Sequence, residues 1–149
     1  MSLLINKRMI LMEWGDCDPA GIVYFPRYLE YGDSCTHALF ERVGLPKPRM
    51  QEKYGIVGIP VVDVHVRFLL PSSYAETLNV ESAVTEWGRS SFTVNHRFLR
   101  GKDLAVEILE KRVWSARAGD GSGRLESKEV PAEVKEKFGT PAAPQAMKK

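Results

Sequence analysis

Hydrophobic and polar residues alternate along the second half of the chain. In one such stretch Val62, Val64 and Val66 alternate with Asp63 and His65. A period of two is typical of a β-strand with one buried face. We therefore predict four half-buried strands, at residues 61–69, 78–84, 92–98 and 104–116.

The first half of the chain follows a helical period instead. Residues 26–44 begin with Pro26, which is favoured at the first position of a helix, and end with Gly44, which is favoured just after the last. Apolar or small residues recur between them at helical spacing and predict a well-buried face. They are Leu29, Cys35, Thr36, Leu39, Phe40 and Val43.

Shorter elements complete the prediction. We expect a first strand at residues 5–14, a short linker or helical turn through Tyr54 and a hairpin turn at residues 100–103. A glycine-rich exposed loop covers residues 119–123. A short strand at residues 125–130 and a brief helix from Pro131 to about Phe138 follow it.

One early helix followed by consecutive strands predicts an α+β fold. Connections of hairpin length make the later strands antiparallel, and the helix covers the sheet that they form. The far face of the sheet also carries apolar residues, such as Leu69, Leu99 and Leu109. An open sheet with bare edges favours pairing with another chain, so we expect an oligomer.

Composition adds limits on size and partners. The 149 residues suit one domain, which we place at residues 1–139, before a Pro/Ala/Lys-rich tail at 140–149 that we predict to be disordered. A net charge of +2 is too small to imply a nucleic-acid partner. Neither a signal peptide nor an apolar run of about 20 residues occurs, which indicates a cytoplasmic protein outside the membrane.

Histidines and cysteines do not form a pattern typical of metal sites. His37, His65 and His96 are scattered, and Cys17 and Cys35 do not form a CxxC pair. We expect His65 and His96 to pack within or on the sheet. Trp87 and Trp114 are likewise expected to anchor the packing of the sheet.

The unusual residues of the chain are concentrated at residues 15–26, just before and at the start of the predicted helix. The segment reads GDCDPAGIVYFP. A carboxylate lies there a few residues before a helix whose first N–H groups lack partners, and such donors stabilise an oxyanion. A carboxylate beside an oxyanion hole is sufficient for acyl transfer. The alternative is a turn in which the aspartates only satisfy backbone donors.

The string GDCDPAGIVYFPRYLEYGD resembles the active-site segment of the 4-hydroxybenzoyl-CoA thioesterases, which belong to the hot-dog-fold thioesterase superfamily. The likeness continues at residues 55–69, 86–92 and 129–131. The resemblance implies a long central helix wrapped by an antiparallel sheet of about five strands. It further implies a homodimer or dimer of dimers, in which two sheets join edge to edge and the active sites lie at the subunit interface.

The resemblance also assigns roles to individual residues. Asp18 matches the catalytic aspartate, as nucleophile or general base. The backbone N–H of Phe25 matches the group that polarises the thioester carbonyl, although tyrosine is usual there. Tyr24 stands where the best-known member has tryptophan and is expected to line the acyl pocket. Asp33 matches a helix carboxylate that faces the acyl ring, and its alternative is an exposed helix charge.

Two departures from the family pattern affect substrate binding. Ile59 replaces a threonine near the acyl group, which makes the pocket more apolar. In the block that grips the nucleotide of coenzyme A, Gly88 and Ser90 replace basic residues, whereas Arg89 and Ser91 persist. Phosphate binding then depends on Arg89. Arg124 and Lys128 are further candidates, and both are equally explained as solvated surface cations.

The function implied by the resemblance is hydrolysis of an acyl-CoA, with an aromatic, hydroxybenzoyl-like acyl group, and without metal or cofactor. Two alternatives keep the fold: a thioesterase for short aliphatic acyl-CoAs, and a hot-dog protein that binds acyl-CoA without catalysis. The pair Asp16 and Asp18 also resembles the DxD of aspartyl-phosphate phosphatases. That fold needs alternating strands and helices, which this sequence does not predict.

Overall fold

The structure is a computed structural model that describes residues 2–139. The predicted tail at residues 140–149 lies outside the described residues and stays a prediction. Within the described part, no helix is long and apolar enough to cross a membrane.

Seven strands and three helices follow one another in the described chain. They are β1 (Asn6–Leu11), α1 (Pro26–Arg42), α2 (Lys47–Tyr54), β2 (Val61–Phe68), β3 (Thr77–Trp87), β4 (Ser91–Arg100), β5 (Asp103–Val113), β6 (Ser115–Arg117), β7 (Leu125–Ser127) and α3 (Ala132–Lys137). Five strands form one antiparallel sheet in the order β1-β3-β4-β5-β2, and β6 pairs with β7. The predicted α+β hot-dog fold is confirmed.

Helix α1 begins at Pro26 and ends before Gly44, as predicted, and Gly44 has the positive φ of +80° that ends helices. Its buried residues are Tyr28, Gly32, Cys35, Thr36, Leu39 and Phe40. The prediction that Leu29 belongs to this face is wrong, because the side chain is 40% exposed. Tyr28 occupies the stripe in its place, one position earlier on the helix.

The core between α1 and the sheet consists of two apolar clusters separated by polar side chains. One cluster contains Leu39, Phe40 and Trp114, and the other contains Tyr28 and Phe98. A layer of buried polar residues lies between the clusters, and we call it the polar layer. Its members are Thr36, Ser82, His96, Glu110 and Arg112.

Trp87 and Trp114 anchor the packing of the sheet, as predicted. Trp114 is buried, and its ring centroid lies 5.5 Å from that of Tyr54. Trp87 is partly buried and packs 5.1 Å from Phe92. Both rings therefore contribute to the larger apolar cluster.

Strand β2 differs from the prediction in its burial. Val62 is 58% exposed and Val64 is also exposed, so the strand is not half-buried. The reason is its position, since among residues 2–139 β2 is the last strand of the sheet and pairs with β5 alone. One edge of β2 is consequently open for pairing with another chain.

The long strand predicted at residues 104–116 is divided in two. β5 ends at Val113, and β6 begins at Ser115 after the buried Trp114. The loop between α2 and β2 forms hydrogen bonds with both β5 and β6 at this break. Val113 N–H donates to the Pro60 carbonyl (3.1 Å), and Ser115 N–H donates to the Gly58 carbonyl (3.1 Å). These bonds hold Ile59 against the end of the sheet.

Candidate active site

Residues 16–24 form a tight hairpin between β1 and α1, which we call the Asp18 hairpin. Tyr24 N–H donates to the Asp16 carbonyl (2.8 Å), and Asp18 N–H donates to the Ile22 carbonyl (2.9 Å). A bond from Val23 N–H to the Ser72 carbonyl (2.8 Å) ties the hairpin to the loop before β3. The backbone around Asp18 is therefore fixed on both sides.

Asp18 lies at the first position of the turn that closes this hairpin. Gly21 N–H donates to the Asp18 carbonyl (2.9 Å), and the φ of +82° at Gly21 explains the glycine there. Oδ1 of Asp18 accepts from the Ala20 N–H (2.8 Å). This bond orients the carboxylate, and Oδ2 makes no hydrogen bond within residues 2–139. The carboxylate is half-buried and available to a substrate.

Phe25 follows the hairpin and caps the start of α1. In the described part of the chain its backbone N–H has no acceptor, whereas the Arg27 N–H already donates to the Tyr24 carbonyl (2.9 Å). Pro26 has no N–H. The Phe25 N–H is therefore the donor at this helix end that remains available to an external oxygen.

Tyr24 and Phe25 both project their rings outward. Their centroids are 5.6 Å apart, and Phe25 is 60% exposed. Phe25 also makes an edge contact with Phe68 of β2, at 6.4 Å between centroids. Large exposed aromatic groups next to an open strand edge are typical of a surface that another chain covers.

An apolar cavity of about 320 Å³ lies between the Asp18 hairpin and the end of β2. We call it the hairpin cavity. It is lined by Ile22, Val23, Phe25, Tyr28, Phe68, Leu69, Leu70, Pro71 and Ser72. Neither Asp18 nor Tyr24 lines it within this chain.

A second cavity, of about 300 Å³, contains Asp33 and Ile59, and we call it the Asp33 cavity. The loop between α2 and β2 forms one wall with Val57, Gly58 and Pro60, and Val61 at the start of β2 extends it. Helix α1 forms another wall. His37, Lys47, Arg112 and Leu125 complete the lining. The structure therefore brings together Asp33 and Ile59, two residues predicted to surround the acyl group.

Asp33 is held by two basic side chains although its own side chain is 57% exposed. Nη2 of Arg112 donates to Oδ1 (2.9 Å), and Nε2 of His37 lies 3.5 Å from the same oxygen. Neither contact uses Oδ2. These two contacts orient the Asp33 side chain, and its Oδ2 faces away from them.

Glu110 supplies the negative charge beneath Arg112. Burial alone raises the pKa of this carboxyl group, but hydrogen bonds from His96 and Arg112, and their charges, outweigh burial and lower the pKa to about 2. Oε1 also accepts a short hydrogen bond from the Thr36 hydroxyl. Glu110 is therefore ionised over the whole physiological range.

The predicted nucleotide-binding residues lie elsewhere. Ser91 lines a third cavity, of about 310 Å³, on the sheet face away from α1, together with His65 and Lys111. Arg89 is exposed in the preceding turn, where its carbonyl accepts from the Val130 N–H (2.9 Å). Neither Arg89 nor Ser91 lines the Asp33 cavity.

The two further cation candidates both have acidic partners at the surface. Arg124 lies 3.5 Å from Asp120 and 3.6 Å from Glu126, and Lys128 lies 3.2 Å from Glu126. These pairs agree with the interpretation of solvated surface cations.

Sequence reasoning missed three residues that the structure places at or beneath the Asp33 cavity: His37, Glu110 and Arg112. Glu110 and Arg112 carried a usable signal, because they alternate in phase with the buried Val106 and Ile108 of β5. His96 packs inside the core as predicted, whereas His65 lies on the outer face of the sheet. No group of three or more potential metal ligands occurs among residues 2–139.

Comparison with known proteins gives a consistent family likeness. A family model described as the thioesterase-like superfamily matches residues 12–138. The 4-hydroxybenzoyl-CoA thioesterase of Pseudomonas sp. (strain CBS-3) is 39% identical over 138 residues, which are 89% of this chain and 94% of that protein.

Solved structures agree with the sequence comparison. The structure of 4-hydroxybenzoyl-CoA thioesterase from Pseudomonas sp. strain CBS-3 matches with a TM-score of 0.80 and 35% identity, over 89% of this chain and 98% of that chain. A gentisyl-coenzyme A thioesterase matches with a TM-score of 0.76 and 25% identity, over 87% of this chain and 99% of that chain. Both likenesses extend over nearly the whole length of the chains compared.

Proposed function

The chain belongs to the thioesterase-like superfamily and is an acyl-CoA thioester hydrolase, and from this premise we propose that it acts on hydroxylated aromatic acyl-CoAs with Asp18 as its catalytic carboxylate. The predicted likeness to the 4-hydroxybenzoyl-CoA thioesterases is confirmed by these relatives. The residue assignments, the acyl group and the assembly are the proposal.

The Asp18 hairpin carries the proposal. It combines a half-buried carboxylate, oriented by the Ala20 N–H, with the unpaired N–H of Phe25 at the start of α1. The N–H and the positive end of the helix dipole stabilise the oxygen of a thioester as its negative charge develops. The start of α1 and the Asp18 carboxylate are therefore sufficient for the acyl transfer.

The reaction proceeds through the thioester carbonyl. Its oxygen accepts the Phe25 N–H, and Asp18 either attacks the carbonyl carbon or takes a proton from an attacking water. The carbon–sulfur bond breaks and coenzyme A leaves as thiolate. In the first route water then hydrolyses the anhydride with Asp18, and both routes yield the free acid.

In this proposal the acyl group enters the Asp33 cavity, with Ile59 as an apolar wall and Asp33 as acceptor for a ring hydroxyl. Tyr24 does not line this cavity in the same chain, so its predicted contact with the acyl group comes from a second copy. The relatives named above act on 4-hydroxybenzoyl-CoA and gentisyl-CoA, two aromatic acyl groups with ring hydroxyls. The Asp33 carboxylate suits a hydroxylated ring, because an acyl ring without a hydroxyl group offers no donor to Oδ2 of Asp33.

A complete site requires a second copy of the chain. The Asp33 cavity is not lined by Asp18, and neither residue lines the hairpin cavity. The open edge of β2 and the exposed rings of Tyr24 and Phe25 support an assembly in which two sheets join edge to edge along β2. We infer a homodimer, or a dimer of dimers, in which one copy supplies Asp18 and the other supplies Asp33.

The remaining parts of the proposal concern coenzyme A and the cell. The nucleotide phosphates contact Arg89, an exposed side chain beside Ser91. The enzyme works in the cytoplasm, where acyl-CoA substrates occur, and binds no nucleic acid.

Thiol release from a panel of acyl-CoAs, aromatic beside aliphatic, tests the function. Asp18→Asn should lower the rate at least ~100-fold, several kcal/mol of transition-state stabilisation. The matched control Asp103→Asn, at the exposed first position of β5, should keep the wild-type rate. Near-normal turnover by Asp18→Asn would exclude Asp18 as the catalytic group.

Other outcomes of the same panel separate the alternatives. Fast aliphatic turnover would keep the mechanism and change the substrate class. Wild-type protein that binds acyl-CoA in calorimetry without releasing thiol would indicate a binding protein.

A further inference from the structure

The polar layer ends at the Asp33 cavity. Its side chains run from Ser82 of β3 through His96 of β4 and Glu110 of β5 to Arg112, whose guanidinium contacts Asp33 on α1. All members of the polar layer are buried, whereas Asp33, at the end of the hydrogen-bonded chain, is exposed. A fixed chain of hydrogen bonds therefore connects the interior of the sheet with a carboxylate that faces solvent.

The guanidinium of Arg112 uses four of its five N–H donors. Nε and Nη2 donate to the two oxygens of Glu110 (both 3.1 Å), and Nη1 donates to the Ile59 carbonyl (2.9 Å). Nη2 also donates to Asp33 (2.9 Å). One planar group thus fixes two opposite walls of the cavity, the α1 wall at Asp33 and the loop wall at Ile59.

Glu110 is itself held in place by residues of the core. It accepts a hydrogen bond from the Thr36 hydroxyl of α1 and lies 3.0 Å from Nε2 of His96. Nδ1 of His96 in turn lies 2.6 Å from the Ser82 hydroxyl. A proton on Nε2 of His96 satisfies the contact with Glu110, and Nδ1 shares a hydrogen bond with the Ser82 hydroxyl, which can either donate or accept. Glu110 is consequently held in one position. Because Nε and Nη2 of Arg112 donate to Glu110, the guanidinium is held in one position too.

Stability alone does not explain these buried charges. Well-packed apolar side chains of similar volume often stabilise a core as well as, or better than, a buried ion pair. The polar layer interrupts an otherwise apolar core between α1 and the sheet. What the ion pair provides in addition is a defined orientation for Asp33, an exposed side chain that would otherwise change rotamers freely.

We propose that Arg112 is a positioning residue for substrate selection: it fixes Oδ1 of Asp33 and the Ile59 carbonyl, so that Oδ2 of Asp33 is presented to a hydroxyl donor on the acyl ring. The proposal rests on the proposed function and adds to it a residue that does not touch the substrate. A lysine at this position keeps the charge, but its single nitrogen cannot serve Glu110, Asp33 and Ile59 with the same geometry.

The test compares two substrates that differ in one hydroxyl group. For Arg112→Lys, kcat/KM for 4-hydroxybenzoyl-CoA should fall about 10- to 100-fold, the range for a hydrogen bond to a charged group, and kcat/KM for benzoyl-CoA less than about threefold. The matched control Arg97→Lys, whose ion pair with Glu81 lies on the other face of the sheet, should change neither. Equal losses on both substrates would overturn the proposal.

A double-mutant cycle with Asp33→Ala examines whether Arg112 acts through Asp33. If it does, Arg112→Lys adds almost nothing to the loss that Asp33→Ala causes for 4-hydroxybenzoyl-CoA. Losses that multiply would show that the two residues act independently. Thermal melting of each variant confirms that it is folded. If the lysine variant does not fold, the neutral pair Glu110→Gln with Arg112→Met replaces it in the same comparison.

Crystal structures separate failure of this proposal from failure of the proposed function. If wild-type protein hydrolyses neither substrate, the function is wrong, and the structure of Arg112→Lys still tests the positioning. A displaced or disordered Asp33 carboxylate would support it. An Asp33 side chain in the wild-type rotamer would overturn it, whatever the activity.

Discussion

The polar layer predicts a specific loss of stability in acid. Glu110 has a pKa of about 2 in the folded protein, against an ordinary value of 4.5. Because the folded-state pKa is lowered, the carboxylate contributes its stabilisation in full above pH 4.5. The contribution decreases as the pH falls through the interval from 4.5 to about 2, where the folded protein also takes up the proton.

The magnitude follows from the same two values. Each pKa unit corresponds to about 1.4 kcal/mol, so the ionised form of Glu110 contributes about 3 kcal/mol to the free energy of unfolding near neutral pH. Glu110→Gln removes the charge at every pH and leaves Arg112 buried without its main partner. At pH 7 we expect the variant to be less stable than wild type by about 3–5 kcal/mol.

Urea unfolding followed by tryptophan fluorescence measures this difference at a series of pH values between 7 and 2. Protein concentration is held fixed, because association changes the apparent stability. The difference between wild type and Glu110→Gln should shrink by about 3 kcal/mol as the pH falls to about 2. Glu30→Gln is the control, since its exposed pair with Arg27 should contribute under about 1 kcal/mol. A difference that stays constant would refute the reasoning.

Two further predictions address packing and assembly. Leu39→Ala should lower the free energy of unfolding by about 2–5 kcal/mol, because the side chain is fully buried. Leu29→Ala, on the exposed side of the same helix, should lower it by under about 1 kcal/mol. Equal losses in urea unfolding would show that α1 does not bury the face described above. Val62→Lys should convert the proposed dimer into monomers, as measured by analytical ultracentrifugation. Met9→Lys, on the opposite edge strand β1, should leave the dimer intact. Dimers in both variants would exclude β2 as the interface.

Local patterns in the sequence were sufficient for the fold. Pro26 and Gly44 marked the ends of α1, and the period of two marked the strands, because caps and side-chain alternation depend on near neighbours in the chain. Burial was less predictable. Val62 and Val64 alternate like core residues but are exposed, because their strand is outermost in the sheet, and the order of strands depends on the whole chain.

The candidate site was predictable only in part, for a similar reason. The Asp18 hairpin is one continuous segment, so its unusual composition was visible in the sequence. The Asp33 cavity joins α1, the loop at Ile59 and the end of β5, which come together only through the strand order. His37 faces the same cavity four residues after Asp33 on α1, but nothing in its local sequence distinguishes it from an exposed helix residue.

The division of the core into two apolar clusters connects the fold with substrate selection. On β5 the inward positions change from Val106 and Ile108 to Glu110 and Arg112, and the change occurs where α1 presents Thr36 and Asp33. A core that served packing alone would continue the apolar series, since well-packed apolar side chains of similar volume stabilise a core as well as a buried ion pair does. The ion pair instead extends to the surface and ends at a carboxylate in a cavity. Selectivity for the acyl group would then depend on side chains that the substrate never contacts, and variants of the polar layer should alter it without altering Asp18 or its hairpin.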